Sequence, residues 1–309
     1  MERISSEGPV PAHLRGGIIA LGNFDGFHLG HQAVVGRAVE WARAEGRPAI
    51  VATFDPHPMR LFRPDAAFFR LTSLDQRERL FGEAGAAAML VFQFDAQLAA
   101  RTPEQFVALL ADELGAAGVV TGEDFTFGRE RGGDIAMLRT LGAQRGLVAQ
   151  AVAPVLDDHG EIVSSTRIRT ALVAGDCATA TRLLTRPFAI QSEIIHGDKL
   201  GRTIGFPTAN MALGAYLRPA YGIYAVRARL PNGRMLDGAA NLGIRPTFDP
   251  PKELLETYLF DYQGSLYGQV LEISLIERLR GEEKFDSLEA LVEQMDRDVE
   301  RARGILAHK

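Results

Sequence analysis

The chain has 309 residues, of which 46% are hydrophobic and 24% charged, and its formal net charge is −5. This length predicts two domains with ample buried core, and the acidic balance lacks the basic excess typical of nucleic-acid-binding proteins. The single cysteine, Cys177, excludes an internal disulfide and fits a reducing compartment. Met1–Gly17 lacks a secretory pattern, and no apolar run reaches membrane-spanning length. We therefore expect a cytoplasmic protein with neither a nucleic-acid nor a membrane partner.

The first half of the chain alternates short β-branched runs with helical patterns. Strands are predicted at Gly17–Leu21, Ala49–Phe54, Ala88–Phe92, Gly118–Gly122 and Leu147–Val152, and helices at Gln32–Glu45, Asp75–Glu83, Pro103–Leu114 and Asp134–Gln144. This alternation predicts an α/β domain with a doubly wound parallel sheet over residues 1–186. In such sheets, ligands bind beyond the carboxyl ends of the strands.

The second half, residues 187–309, has the pattern of a small antiparallel β-barrel. Its strands are predicted at Phe188–Ile195, Gly222–Leu230, Met235–Leu242, Glu256–Phe260 and Val270–Ile276, separated by Gly, Pro and Asn. A closing helix carries an apolar stripe from Leu288 to Ile305, which we expect to pack on the barrel. Asp286 and Glu289 indicate a capping box at the start of this helix.

The first predicted strand runs directly into G-N-F-D-G-F-H-L-G-H at Gly22–His31, and a helical pattern follows. Glycines at 22, 26 and 30 permit a sharp turn, and the N-terminus of a helix attracts anions. His28 and His31 therefore predict a phosphate site. Two alternatives stay open, a pair of metal ligands or a pair without chemistry. Neither a P-loop nor G-x-G-x-x-G occurs in the sequence.

Three further polar motifs follow predicted strands or begin a helix. T-F-D-P-H-P at Thr53–Pro58 is a stiff loop, either at a site or simply a turn. G-E-D-F-T-F-G-R-E-R-G-G at Gly122–Gly133 combines aromatic and charged residues, as a ring-stacking platform or a surface loop would. S-S-T-R-I-R at Ser164–Arg169 offers hydroxyls and arginines to a phosphate, or is an N-cap with solvated arginines.

Taken together, G-x-F-D-G-x-H-x-G-H, T-F-x-P-H-P, G-x-D-F-x-F-G and S-S-T-x-I-R resemble the adenylyltransferase module of prokaryotic FAD synthetase, and they cover nearly all of the first half. The resemblance implies that FMN attacks the α-phosphorus of ATP, giving FAD and pyrophosphate. It implies that His28 and His31 hydrogen-bond the ATP phosphates as catalytic residues. The other implied binding residues are Gly22, Phe24, Asp25, Gly26, Asp124, Ser165, Thr166 and Arg169.

The second half contains H-G-D-K-L-G-R-T-I-G-F-P-T-A-N at His196–Asn210. Thr208 and Asn210 are neutral oxygen ligands, acceptable to Mg²⁺ but too weak to bind it without substrate phosphates. A glycine-rich hairpin with a polar end is the alternative interpretation. The residues expected to form a basic, pliable loop for polyphosphate are Gly197, Lys199, Gly201, Arg202 and Gly205.

P-T-A-N, with Y-G-I-Y-A-V, N-L-G-I-R-P-T-F, L-Y-G and E-K-F-D-S-L-E, resembles the riboflavin kinase module of the same family. The resemblance implies that Glu256 is the general base for the 5′-hydroxyl of riboflavin, a poor nucleophile until its proton is accepted. A cross-strand ion pair is the competing explanation for Glu256. The implied ligands are Mg²⁺, ATP as co-substrate, and riboflavin, FMN and FAD as substrates and products, with apoflavoproteins as recipients.

The sequence departs from the family pattern at the junction of the two halves. L-T-R-P at Leu184–Pro187 has Thr185 where the family usually has glycine, and Gln191–Glu193 lacks the usual glycine before the barrel. Two other function classes also stay open. One is a flavin- or nucleotide-binding regulator without turnover, which the retained reacting groups disfavour. The other is a nucleotidyltransferase for a pantetheine or nicotinamide precursor, which the kinase-like half disfavours.

Overall fold

The computed structural model describes residues 1–65, 67, 69–196, 205–245 and 252–308. Contacts divide the chain into two compact units, Met1–Ala67 with Leu74–Ser164, and Phe68–Ser73 with Ser165–Lys309. This grouping assigns residues 165–186 to the second unit, whereas the sequence places the boundary of the active domains at residue 186. That functional boundary stays a prediction.

A parallel sheet forms the centre of the first unit, as the sequence predicts. The strands are β1 (Glu2–Ser5), β2 (Ile18–Leu21), β3 (Ala49–Asp55), β4 (Ala88–Gln93), β5 (Gly118–Gly122) and β6 (Val148–Val152), in the order β1-β4-β3-β2-β5-β6. Every pairing is parallel. The edge strand β1 is absent from the prediction because E-R-I-S is short and mostly exposed.

Helices cover both faces of this sheet. They are α1 (Leu29–Ala44), α2 (Pro58–Phe62), α3 (Leu74–Glu83), α4 (Ala96–Ala100), α5 (Pro103–Ala108) and α6 (Ile135–Ala143), and a π-helical turn at Leu109–Glu113 follows α5. Alternate residues of β2 belong to separate cores, because successive side chains of a strand point to opposite faces. Ile18 packs with Val35 of α1, whereas Ile19 packs with Phe106 of α5. The doubly wound prediction is confirmed.

The second unit contains the predicted antiparallel barrel, closed in the order β10-β11-β8-β7-β12-β9. Its elements are α7 (Ser165–Ala174), α8 (Cys177–Leu184), β7 (Phe188–Ile195), β8 (Thr208–Ala212), β9 (Gly222–Arg229), β10 (Met235–Arg245), β11 (Lys252–Leu259), β12 (Val270–Arg280) and α9 (Leu288–Leu306). The sequence pattern does not predict β8, because P-T-A-N has the composition of the polar end of a loop. That strand nevertheless places Thr208 and Asn210 on the barrel wall.

The closing helix α9 packs on the barrel through its C-terminal half. Ala302 and Leu306 are buried in one cluster with Ala225 and Ala239 of the barrel, whereas Leu288 at the other end of the stripe is exposed. The predicted capping box is wrong. Ser287 is the N-cap, and its hydroxyl accepts a hydrogen bond from the Ala290 amide. Within the described ranges, no helix combines the length and apolar composition needed to cross a membrane.

The unusual threonine at the junction ends α8 in the left-handed conformation that its position requires. Thr185 has φ 64° and ψ 11°. A β-branched residue pays a steric penalty there, which is why glycine is favoured just beyond helix ends. The Thr185 hydroxyl donates a 2.6 Å hydrogen bond to the Leu184 carbonyl, which offsets part of this cost. The glycine-like geometry is therefore kept without a glycine.

We expect Thr185→Gly to stabilise the protein by about 0.5–1 kcal/mol, because glycine adopts positive φ without a Cβ clash. The midpoint of urea denaturation measures the change. Thr185→Ala is the matched control, since it keeps the steric penalty and loses the hydroxyl bond. A glycine variant no more stable than the alanine variant would show that the left-handed geometry carries no strain.

Candidate functional site

The turn between β2 and α1 has an unusual backbone. Phe24, Gly26 and Phe27 all have positive φ, at 50°, 89° and 45°. Such a conformation costs about 1–2 kcal/mol for each residue with a side chain. Burial of both phenylalanines offsets the cost, since their rings make edge contacts with Phe81 at 5.8 and 5.1 Å. The packing of these two rings against Phe81 thus stabilises the turn.

His28 is the N-cap of α1, and His31 lies in the helix's first turn. The His28 Nδ1 accepts a hydrogen bond from the His31 amide at 3.4 Å. A neutral imidazole accepting at Nδ1 carries its proton on Nε2, which can donate to a phosphate oxygen. The two rings stack with centroids 3.6 Å apart. Both therefore lie at a helix N-terminus, where unpaired amides and the helix dipole favour an anion.

The two imidazoles differ in accessibility. His28 is only 5% exposed, whereas His31 is half-buried with the edge of Phe24 5.3 Å from its ring centroid. Gly30 permits the His28 ring to lie close to the backbone at position 30, because a Cβ there would lie 3.2 Å from that ring. The structure thus brings the two predicted histidines together, with Asp25 buried and Gly22 half-buried in the same turn. Among the described residues, no group of three or more His, Cys, Asp or Glu could hold a metal ion.

The loops after β2, β3 and β5 leave the same edge of the parallel sheet. After β3, the His57 ring caps α2 by accepting from the Met59 amide at 3.1 Å. After β5, the Asp124 carboxylate is exposed beside Gly122, where a Cβ would lie 2.9 Å from its Oδ1. Asp124 therefore lies at the edge expected to bind ligand.

Ser165, Thr166 and Arg169 lie on α7, in the second unit. Ser165 is half-buried and Thr166 is exposed. The Arg169 Nε donates to the Phe69 carbonyl at 2.9 Å, and its guanidinium lies 5.4 Å from the Phe69 ring. The closing of these three residues over the ATP phosphates stays a prediction.

A row of three polar residues crosses neighbouring strands of the barrel. Glu256 on β11 pairs directly with Asn210 on β8 and with Asn241 on β10. Directly opposite residues of antiparallel strands point to the same face. The row continues to Ile195 and Ile223, so apolar residues bracket the polar triple. Both residues directly opposite Glu256 are asparagines, whose side chains are neutral.

Both asparagines of the row carry a buried oxygen that has no hydrogen-bond partner among the described residues. These atoms are the Asn210 Oδ1 and the Asn241 Oδ1. A buried amide oxygen left unbonded costs about 1–3 kcal/mol. Such a cost is normally met by a water, an ion or a ligand. Thr208, two residues from Asn210, lies on the same face of β8. The row therefore has the features of a binding site.

A cavity of about 60 Å³ opens beside Thr208. Its lining includes Leu259 and Leu266 together with Thr257, Tyr262 and Tyr267. The Thr257 hydroxyl is fully buried and has no hydrogen-bond partner among the described residues. Tyr267 stacks on His196 with ring centroids 3.9 Å apart. A cavity lined by two tyrosines, aliphatic side chains and several hydroxyl groups suits a flat heteroaromatic ring.

Four residues of the predicted basic loop, Gly197, Lys199, Gly201 and Arg202, lie outside the described residues. Gly205 is exposed with φ 89°.

An ion pair lies three residues along β11 from Glu256, on the opposite face of the strand. The Arg218 Nε donates to Glu253 at 2.8 Å, and this bond lowers the pKa of the Glu253 carboxyl. The Tyr221 hydroxyl also donates to Glu253. Burial, followed by the Glu253 contact, raises the pKa of Tyr221 to about 12. Glu253 is thereby committed to a structural pair, which separates its environment from that of Glu256.

Asn241 and Arg77 are two residues of these sites that the sequence analysis missed. Asn241 begins N-L-G-I-R-P-T-F, a motif that supports the resemblance to the riboflavin kinase module but assigns no role to its asparagine. Arg77 lies in a predicted helix without any motif, and no sequence signal marks it. It is only 2% exposed and contacts the residue that begins the β2–α1 turn.

Comparisons with known proteins match both halves of the chain. The FAD synthetase family model matches residues 10–167, and the riboflavin kinase family model matches residues 184–306. A crystal structure described as a macrolide-efflux protein from Streptococcus pneumoniae covers 98% of this chain and 99% of its own, with 31% identity and a TM-score of 0.87. That similarity shows a shared two-unit fold.

Curated relatives match over almost their whole length. The bifunctional riboflavin kinase/FMN adenylyltransferase of Escherichia coli is 38% identical over 93% of this chain and 92% of its own. The protein of that description from Pseudomonas fluorescens is 40% identical over 96% and 95%. The one from Bacillus subtilis is 37% identical over 92% and 91%. The chain belongs to the bifunctional riboflavin kinase/FMN adenylyltransferase family.

Proposed function

We propose that this chain performs both reactions of its family at two separate centres. The barrel phosphorylates riboflavin to FMN, and the parallel-sheet unit adenylylates FMN to FAD. The observation that carries the proposal is the row of Asn210, Glu256 and Asn241. It places a carboxylate between two asparagines whose buried amide oxygens have no hydrogen-bond partner in the part of the chain that the structure describes. The proposal keeps the expectation of a cytoplasmic enzyme with small-molecule substrates, whose FMN and FAD pass to apoflavoproteins.

In the kinase reaction, Glu256 accepts the proton of the 5′-hydroxyl of riboflavin. The freed oxygen forms a bond to the γ-phosphorus of ATP, and the bond from that phosphorus to the bridging oxygen breaks, leaving ADP. Glu256 is half-buried on a strand paired on both sides. A carboxylate on such a rigid support keeps its alignment with the alcohol, which general base catalysis requires.

Thr208 and Asn210 fit Mg²⁺ as partners that act together with the phosphates of ATP. The fit rests on the Asn210 Oδ1, a hard oxygen that is buried and has no hydrogen-bond partner among the described residues. When bound, Mg²⁺ supplies positive charge to the phosphates. The two neutral side chains bring no charge of their own, so affinity depends on the nucleotide.

We assign the adenine ring of this ATP to the cavity beside Thr208. Tyr262 and Tyr267 offer aromatic walls, and the buried Thr257 hydroxyl offers one polar contact. A nucleotide held there lies beside Thr208, one of the two predicted Mg²⁺ ligands. The cavity therefore supports ATP as the phosphate donor at the barrel.

In the adenylylation reaction, a phosphate oxygen of FMN forms a bond to the α-phosphorus of ATP, and pyrophosphate leaves. A phosphate monoester is already a nucleophile, so this centre needs positioning and charge stabilisation more than a base. His28 and His31 supply donors at the N-terminus of α1, and the Gly22–Gly26 backbone supplies the close approach. Asp124 lies at the same edge of the sheet, and Ser165, Thr166 and Arg169 stay phosphate-binding residues predicted from the resemblance alone.

We expect Glu256→Gln to lower FMN formation by about 10²–10⁴-fold, because the amide cannot accept the proton. Adenylylation of supplied FMN stays unchanged. Chromatographic separation of riboflavin, FMN and FAD measures both reactions in one sample. Glu253→Gln is the control on the same strand, with kinase activity expected within about twofold of the parent. Kinase activity within about tenfold of the parent in a folded Glu256→Gln protein would refute the general base.

We expect His28→Asn to lower FAD formation by about 10²–10³-fold while riboflavin phosphorylation persists. Asparagine is a good N-cap, so this variant removes the imidazole and keeps the start of α1. His31→Asn should act in the same direction. His13→Asn, at a side chain that is 67% exposed, is the matched control and should change neither activity. Normal FAD formation in both site variants would exclude the histidines from the adenylylation centre.

A further inference from the structure

We propose that Arg77 is a positioning residue for FMN adenylylation. It holds the Gly22–His31 turn in its working geometry without touching substrate. This inference rests on the proposed adenylylation centre. Arg77 lies on α3 and is only 2% exposed, which is rare for an arginine. Burial of a guanidinium is costly unless its hydrogen bonds are made. The hydrogen bonds of Arg77 therefore indicate the role of its buried charge.

The Arg77 guanidinium connects the Gly22–His31 turn with the T-F-D-P-H-P motif, to which the proposed function gives no role. Its Nη1 donates to the Thr53 hydroxyl at 2.9 Å and to the Asn23 carbonyl at 3.3 Å. The Thr53 hydroxyl in turn donates to the same Asn23 carbonyl at 2.8 Å. Thr53 is fully buried and begins T-F-D-P-H-P, and Asn23 begins the left-handed turn. The three groups form a closed triangle at the entrance of the turn.

A second residue on the same face of α3 also supports the turn. Phe81 follows Arg77 by four residues, so both side chains lie on one helical face. The Phe81 ring packs against Phe24 and Phe27, whose positive φ angles bend the turn. Arg77 therefore fixes where the turn begins, and Phe81 fixes its bend. Both act on the path that leads into His28.

The test compares Arg77→Met, Arg77→Lys and Thr53→Val in the full chain, with kcat and KM for ATP measured in FMN adenylylation. We expect Arg77→Met to lower kcat/KM by about 10²-fold, the loss typical of a misplaced reacting group. Arg77→Lys should recover part of it. Thr53→Val should show a smaller loss, and its effect should not add to that of Arg77→Met. Riboflavin phosphorylation in the same samples should stay within about twofold.

Arg79→Met is the matched control, since Arg79 lies two residues further on α3 and pairs with Glu83 near the surface. It should leave both reactions unchanged. Arg77→Lys and Thr53→Val proteins that are folded and adenylylate at the parent rate would overturn the proposal, even where Arg77→Met fails to fold. Loss of both reactions in equal measure would also overturn it. His28→Asn with normal adenylylation would instead refute the centre itself.

A second observation carries an independent inference about the barrel. We infer that Asn241 binds the alcohol substrate of the kinase reaction through a hydroxyl of its ribityl chain. Asn241 flanks Glu256 on the side away from Asn210. The proposed metal and ATP lie on the Asn210 side, so the other side faces the acceptor. The Asn241 Oδ1 is buried and has no hydrogen-bond partner among the described residues. It can therefore accept a hydrogen bond from a substrate hydroxyl.

We expect Asn241→Ala to raise the KM for riboflavin by about tenfold, the effect of one lost hydrogen bond. The KM for ATP should stay unchanged. Asn210→Ala should show the opposite split, and Asn241→Ser, which retains a hydroxyl, should recover part of the riboflavin affinity. FMN adenylylation in the same protein is the control. An unchanged riboflavin KM in folded Asn241→Ala protein would overturn the inference, whereas an active Glu256→Gln would refute the kinase centre.

Discussion

The proposed adenylylation centre depends on a turn that is strained by itself and is held by a neighbouring helix. Three residues of the turn have positive φ, and two of them are phenylalanines. Backbone strain of this kind persists only where the surrounding structure over-determines it. Here α3 supplies that support through the Phe81 ring and the buried Arg77 guanidinium. This support fixes the path of the turn that leads to the two imidazoles at the start of α1.

The two centres solve different chemical problems with different scaffolds. A phosphate nucleophile needs donors and positioning, which a helix N-terminus at the edge of a parallel sheet provides. An alcohol nucleophile needs a base held at a fixed distance, which a strand paired on both sides provides. His28 and Glu256 thus belong to separate units with separate cores. One chain can therefore carry both steps without sharing a reacting group.

Local chemistry accounts for most of the individual elements. Strand–helix alternation predicts the doubly wound sheet, and Gly- and Pro-broken segments predict the barrel. The misses have physical reasons. β1 is a short, exposed strand stabilised only by its pairing with β4. The P-T-A-N strand has a polar pattern because Thr208 and Asn210 share one face of β8 and pair across to β11. The N-cap of α9 is Ser287 rather than Asp286, because the Ser287 hydroxyl accepts the hydrogen bond from the Ala290 amide.

The sequence by itself determined the two-part architecture and the motif at the carboxyl end of β2, because these follow from periodicity and from contiguous motifs. The role of Glu256 stays a prediction from the resemblance. Only the tertiary structure decided that Asn241 stands opposite Glu256 and that Arg77 is buried beneath the turn. Cross-strand register and burial join residues far apart in the chain, and local pattern does not encode which distant residues meet. The packing of the whole unit decides those partners.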